Sequence, residues 1–163
     1  MAKKGQIPGQ IFIYLIALIL FSLILLYGYN SIRGFKEKSE QVSYIKFKTD
    51  LTSMVKRVSP DYNTLKREKL FIGGDYTEVC FVQSYKKEDN FDFIRTHIGN
   101  LIIQDSFESR VDKNVFLFKK GIAESFDVGN INVTGGSVCI PVISGKARIE
   151  FKGMGDHVFI SGW

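Results

Sequence analysis

The hydrophobic pattern divides the chain into one uninterrupted apolar segment and a longer part where apolar and polar residues alternate. The segment Gln6–Ile32, QIPGQIFIYLIALILFSLILLYGYNSI, contains no Asp, Glu, Lys or Arg. At a rise of about 1.5 Å per residue, roughly 20 apolar residues cross the hydrocarbon core of a bilayer. Apolar side chains occur on all sides of this predicted helix, so it has no polar face for water. We therefore expect a membrane-spanning helix, or one that packs among other helices.

The pattern becomes amphipathic after the apolar segment. Between Tyr44 and Val58, apolar residues recur at spacings of three and four, with charged residues on the other side. This stripe consists of Tyr44, Phe47, Leu51, Met54, Val55 and Val58. Pro60 ends the helical pattern. We expect residues 33–59 to continue the helix and to pack one face on a head domain formed by residues 60–163.

The predicted head, residues 60–163, alternates short apolar runs with glycine-containing turns. Lys69–Ile72 and Thr77–Ser84 flank Gly73–Asp75, which predicts a hairpin in which the two runs pair. Phe91–Ser109 has helical spacing and predicts one short helix. Later strands are predicted at Asn114–Phe118, Ile122–Val128, Ser137–Ile143, Lys146–Lys152 and His157–Ile160. Their spacing is typical of an antiparallel meander, so the expected fold is α+β: a long N-terminal hydrophobic helix followed by a mainly antiparallel β-sheet head.

Charge and composition narrow the range of functions. The chain of 163 residues has a formal net charge of +5, to which Lys3 and Lys4 contribute. The other cations are scattered along the sequence and form no basic stripe, so we expect no nucleic acid as a partner. Many of the aromatic residues fall in apolar runs of the head, where core packing is the expected role.

Two cysteines and one glycosylation sequon lie in the head. Cys80 and Cys139 each lie inside an apolar strand, in EVCFV and SVCIP. In an oxidising compartment they can form one disulfide; the alternative is two separately buried thiols. Asn132, in Asn132-Val133-Thr134, is a candidate glycosylation site in a predicted turn.

The sequence predicts no enzyme. The patterns GxGxxG, Walker A, HExxH and GxSxG are all missing. The only histidines are His97 and His157, which with Cys80 and Cys139 make a nominal zinc set of two Cys and two His. Because the separations match no compact zinc motif, we expect neither a metal nor a cofactor.

A short basic pattern precedes the apolar segment. Lys3, Lys4 and Gly5 are followed directly by Gln6. This arrangement resembles the archaeal type IV pilin-like proteins with a class III signal peptide. In that family a dedicated membrane peptidase removes a short leader that ends in two basic residues and a Gly or Ala, and Gln is a common first residue of the mature chain. The resemblance implies a leader of residues 1–5, cleaved after Gly5.

The resemblance extends through the first helix, with one departure. The bacterial pilin pattern has Glu at the fifth mature position, where this chain has Gln10, so no buried charge pair is expected to set the register of subunits. In the head, Gly99–Phe118 resembles uncharacterised small membrane-anchored archaeal proteins, a likeness that names no activity. The pilin resemblance implies a structural subunit that assembles with copies of itself through residues 6–32, with membrane lipid and a leader peptidase as further partners.

Two features oppose each other on topology. The family implies a single-pass protein of the cytoplasmic membrane with its head outside, and an extracellular filament after assembly. By the positive-inside rule, however, the basic residues on the head side would keep that side cytoplasmic. They are Arg33, Lys36, Lys38, Lys46 and Lys48, against Lys3 and Lys4 on the other side. The alternative function keeps the same anchor without cleavage: a membrane-tethered binding module that does not assemble.

Overall fold

Apart from one additional short strand, helices and strands follow one another in the order that the sequence predicts. The structure is a computed structural model and describes residues 9–73, 75–83, 100–109 and 111–163. Its helices are α1 (Gly9–Val58) and α2 (Leu101–Glu108). Its strands are β1 (Leu65–Phe71), β2 (Glu78–Val82), β3 (Val115–Lys119), β4 (Ile122–Phe126), β5 (Ile131–Val133), β6 (Ser137–Pro141), β7 (Lys146–Gly153) and β8 (Val158–Gly162). The predicted α+β class, a long N-terminal helix before a mostly antiparallel β head, is confirmed.

The chain divides into two units between Ser39 and Glu40, within α1. In the second unit, the amphipathic stripe of α1 packs on the apolar core, as its spacing predicts, with Tyr44 and Met54 partly buried. Phe47, Leu51, Val55 and Val58 are at most 3% exposed. The helix ends at Val58, two residues before the proline that was expected to stop it.

The strands form two four-stranded sheets. Sheet A has the order β1-β7-β8-β5, and sheet B has the order β4-β3-β2-β6. All pairs are antiparallel except β5 with β8, which is parallel. The predicted simple meander is therefore wrong: β1 pairs with β7, and β2 pairs with β6 as well as β3. Strand periodicity shows which face of a strand is buried, but does not identify its neighbour.

The predicted hairpin between β1 and β2 is also wrong, because these strands belong to different sheets. Gly73, with φ of 73°, lies at the crossing between the sheets. A Cβ at this position would collide with the side chain of Ser43 on α1. Glycine here thus permits close approach to the helix, in addition to its turn conformation.

One apolar core joins α1 to both sheets. Its members include Leu51 of α1, Phe151 and Ile160 of sheet A, and Phe81 and Leu117 of sheet B, none of which has exposed surface. Every residue in the run 115–118 of β3 is also buried, so this strand of sheet B is covered on both faces. A continuous apolar run is the pattern expected of such a strand.

Two short elements, α2 and β5, lie between the longer strands. The predicted helix Phe91–Ser109 is confirmed for α2, while residues 91–99 lie outside the described residues. The Oδ1 of Asn100 accepts a hydrogen bond from the N–H of Ile102 at 3.0 Å, as a residue at a helix N-terminus does. Strand β5 was not predicted, because its three residues lie between glycines and become a strand only by pairing with β8.

Candidate functional site

The first part of α1 carries a continuous apolar surface. Among the described residues, this is the one helix that is long and apolar enough to span a membrane. Every Ile, Leu, Phe and Tyr from Ile11 to Tyr29 is more than half exposed. The hydroxyl of Ser22 donates to the carbonyl of Leu18 at 2.9 Å, so this polar group is satisfied within the helix. The segment is therefore suited to an apolar environment on all sides.

An ion pair connects the head-bound part of α1 to sheet B. The Nζ of Lys119, at the end of β3, donates to the Oε2 of Glu40 at 2.7 Å. This hydrogen bond raises the pKa of the Lys119 ammonium above its usual value. Lys119 also lies 5.9 Å from the centre of the Tyr76 ring. Burial and a hydrogen bond to Glu124 raise the pKa of Tyr76, which stays neutral at physiological pH.

Aromatic contacts continue this attachment along the helix. Tyr44 and Phe47 meet the ring of Phe126 edge to face, with centroids 5.9 and 6.1 Å apart. The ammonium of Lys48 lies 5.6 Å from the same ring centre. Such aromatic pairs contribute roughly 0.5–1.5 kcal/mol each beyond area burial. Phe126 is thus a shared contact for one face of α1.

The end of α1 packs against the end of β7 through a glycine. A Cβ on Gly153 would overlap the carbonyl oxygens of Val58 and Asp61. The N–H of Gly153 donates to Thr64 at 2.9 Å, and its carbonyl accepts from Asn63 at 2.8 Å. The polypeptide that follows the helix therefore approaches β7 too closely for any side chain at this position.

The two cysteines form a disulfide, which confirms the pairing and excludes the buried-thiol alternative in this structure. Cys80 of β2 and Cys139 of β6 are directly opposite each other, with Cα atoms 4.0 Å apart. Cys80 is fully buried, whereas Cys139 is exposed. The bond ties β6, at the edge of sheet B, to an interior strand. Glu78 lies close to both sulfurs, but sulfurs bonded to each other are not thiolate metal ligands.

Of the remaining sequence-based candidates, Asn132 and His157 lie within the described residues. Asn132 lies in β5 at the edge of sheet A and is half-buried, so the predicted turn is wrong at this position. His157 is hydrogen-bonded to Asp156 at 2.5 Å. Lys3, Lys4, Gly5, Gln6 and His97 all lie outside the described residues.

Sequence reasoning missed a basic surface that the pairing of β1 with β7 creates. Arg67, Lys69 and Arg148 lie 5.9, 5.6 and 5.6 Å from the ring centre of Trp163. The sequence contained one signal for this surface, namely cations at alternate positions of two strands. Because β1 and β7 are separated by more than 70 residues, however, nothing local indicates that these side chains meet.

The fold defines a class: a head of two β-sheets attached to a long helix whose first part is apolar and exposed. Comparison of the chain with protein families, with curated proteins and with solved structures gave no match. Function is therefore inferred from the chain's own geometry.

Proposed function

We propose that this protein is a structural subunit, similar to a type IV pilin, that assembles with copies of itself through its N-terminal helix. The observation that carries the proposal is the difference in exposure between the two parts of α1. Its first part exposes apolar side chains all round, whereas its last part buries one face in the head. A plain membrane anchor requires only the first of these properties.

Assembly of this kind is energetically accessible to the apolar segment. Moving a helix from lipid into a bundle of similar helices exchanges one apolar environment for another, at little hydrophobic cost. The segment has no charged side chain from Ile11 to Ile32, so no buried charge opposes this exchange.

The attachment of the head supports the same proposal. Residues from Glu40 to Val58 are fixed to the sheets by the Lys119 ion pair, the Phe126 contacts and the Gly153 contact. The end of the helix is therefore held to the sheets by side-chain contacts as well as by the polypeptide. The disulfide supports a head in an oxidising compartment outside the cytoplasmic membrane.

The proposal is tested at the leader. Intact-mass measurement of the protein from membranes is expected to show loss of Met1–Gly5, and Gly5→Leu is expected to block both this cleavage and assembly. Ala2→Val, within the leader but away from the cleavage site, is the matched control and is expected to be processed normally. Surface filaments from uncleaved Gly5→Leu protein would refute the proposal.

The head's location is tested separately. Lys120 is exposed in the turn between β3 and β4, so Lys120→Cys adds one accessible thiol. Labelling by a membrane-impermeant maleimide in intact cells is expected, and labelling only after lysis would place the head in the cytoplasm. A protein that retains Met1–Gly5 and whose head is labelled would favour the alternative, a tethered binding module that does not assemble.

A further inference from the structure

The outer face of sheet A gathers positive charge that is dispersed in the sequence. Register places Lys69 opposite Arg148, and Arg67 opposite Glu150. Alternate residues of a strand lie on the same face, so these side chains share one surface, while Ala147 of β7 lies on the other face and is fully buried. We call this surface the basic face; its cations are Arg67, Lys69, Lys146, Arg148 and Lys152.

Opposing charge on this surface is small. Among the outward positions of β1, β7 and β8, Glu150 carries the one carboxylate, and it pairs with Arg67 at 2.6 Å. Within the described part of the chain, Lys69 and Arg148 have no carboxylate at ion-pair distance. Like charges held together on a surface raise the local potential and attract polyanions.

An aromatic ring lies in the middle of these cations. The Trp163 indole has three of them within 6 Å of its centre, yet 45% of the residue remains exposed. Phe71, opposite Lys146 at the edge strand, is 52% exposed. Cationic side chains interleaved with exposed aromatic rings are the combination that binds single-stranded nucleic acid, since phosphates meet the cations and bases stack on the rings.

We propose that the basic face binds single-stranded nucleic acid, with Trp163 as a stacking platform. The surface is separate from α1, so this inference does not rest on assembly. It revises the expectation from sequence that nucleic acid is no partner, because that expectation depended on the lack of a basic stripe. A duplex fits less well, since its bases are stacked internally and offer no free face to the indole.

The test uses the full-length protein in non-ionic detergent and a fluorescent 15-nucleotide oligothymidylate, with binding measured by anisotropy. The logarithm of the binding constant is expected to fall linearly with the logarithm of salt concentration. Each phosphate contact with a single strand contributes about −0.7 to this slope, so three to five contacts give a slope of about −2 to −3.5. Arg148→Gln is expected to make this slope shallower by roughly 0.7–1. Lys120→Gln, in the exposed turn between β3 and β4, is the charge-matched control and is expected to bind nearly as the parent does.

Two further variants separate stacking and charge from structural damage. Trp163→Leu is expected to weaken binding roughly ten-fold at an unchanged salt slope, and Trp163→Phe to restore part of the loss. Glu150→Gln removes the opposing carboxylate and is expected to strengthen binding, a gain that misfolding does not produce. Unfolding midpoints are measured for all variants.

Three results would overturn the proposal. One is lack of binding at low salt. Another is equal or tighter binding of a duplex with the same number of phosphates. The third is equal binding of heparin together with indifference to Trp163→Leu, which would assign the face to polyanions in general. Loss of leader cleavage leaves this assay unchanged, so the two proposals fail independently.

Discussion

Reduction of the Cys80–Cys139 disulfide is expected to destabilise the head by about 4 kcal/mol. The bond joins residues 59 positions apart. In the chain-entropy description, a loop of this length restricts the unfolded chain by about 14 cal/mol/K, or about 4 kcal/mol at 25 °C. Because β2 and β6 remain paired by backbone hydrogen bonds, the native state should change little.

This loss is a large share of ordinary domain stability, which is about 5–15 kcal/mol. For a unit of the size of Glu40–Trp163, it corresponds to a decrease in Tm of about 10–20 °C. Trp163, the one tryptophan of the chain, lies after β8 in sheet A. Its fluorescence therefore reports unfolding of the head separately from the helicity of α1 in detergent.

The assay compares urea or thermal unfolding of the oxidised protein with that of protein reduced in denaturant and refolded under reducing conditions. The double variant with Cys80→Ala and Cys139→Ala provides the second comparison. This variant should be slightly less stable than the reduced protein, because it also removes buried volume at Cys80. Equal midpoints for oxidised and reduced protein would refute the reasoning. So would the recovery of two free thiols from unreduced, denatured protein.

Three further perturbations address the attachment of α1. Leu51→Ala should lower the free energy of unfolding by about 2–5 kcal/mol. The control Ile45→Ala, at a position 61% exposed, should change it by less than about 0.5 kcal/mol. Equal effects of the two substitutions would contradict the burial of the stripe. Gly153→Val should prevent normal packing of the helix end, seen as a lower Tm, and an unchanged Tm would exclude the close approach. Lys119→Met should destabilise the head by less than about 1 kcal/mol at neutral pH. The folded state raises the pKa of Lys119 above about 10.5. The stabilisation from its ion pair with Glu40 is therefore complete below that pH and is lost as pH rises through the folded pKa. A stability difference between variant and parent that grows with pH would contradict this assignment.

Local periodicity accounts for the parts of the fold that were predicted correctly. The uncharged apolar segment and the stripe from Tyr44 to Val58 each specify a helix with a particular environment, and the structure has α1 from Gly9 to Val58 with the stripe buried. Most strands were located for the same reason, since alternation and glycine-containing turns are visible within a few residues. The disulfide was predicted from the position of both cysteines in apolar strands.

Pairing between distant strands accounts for the errors. The glycines at 73 and 74 resemble a hairpin turn, yet β1 pairs with β7 and β2 with β3 and β6. Strand β5 has only three residues, and its parallel partner β8 begins 25 residues after β5 ends. A short segment of this kind has no periodicity of its own, so only its hydrogen bonds identify it as a strand.

The sequence by itself determined the long helix, its division into an apolar part and an amphipathic part, and the β-rich character of the head, because each depends on the spacing of nearby residues. Only the tertiary structure decided the two-sheet arrangement, the opposition of Cys80 and Cys139, and the convergence of Arg67, Lys69 and Arg148 on Trp163. Those features depend on which strands are neighbours and in which register. Core packing and loop closure over the whole head set both, and no local pattern encodes them.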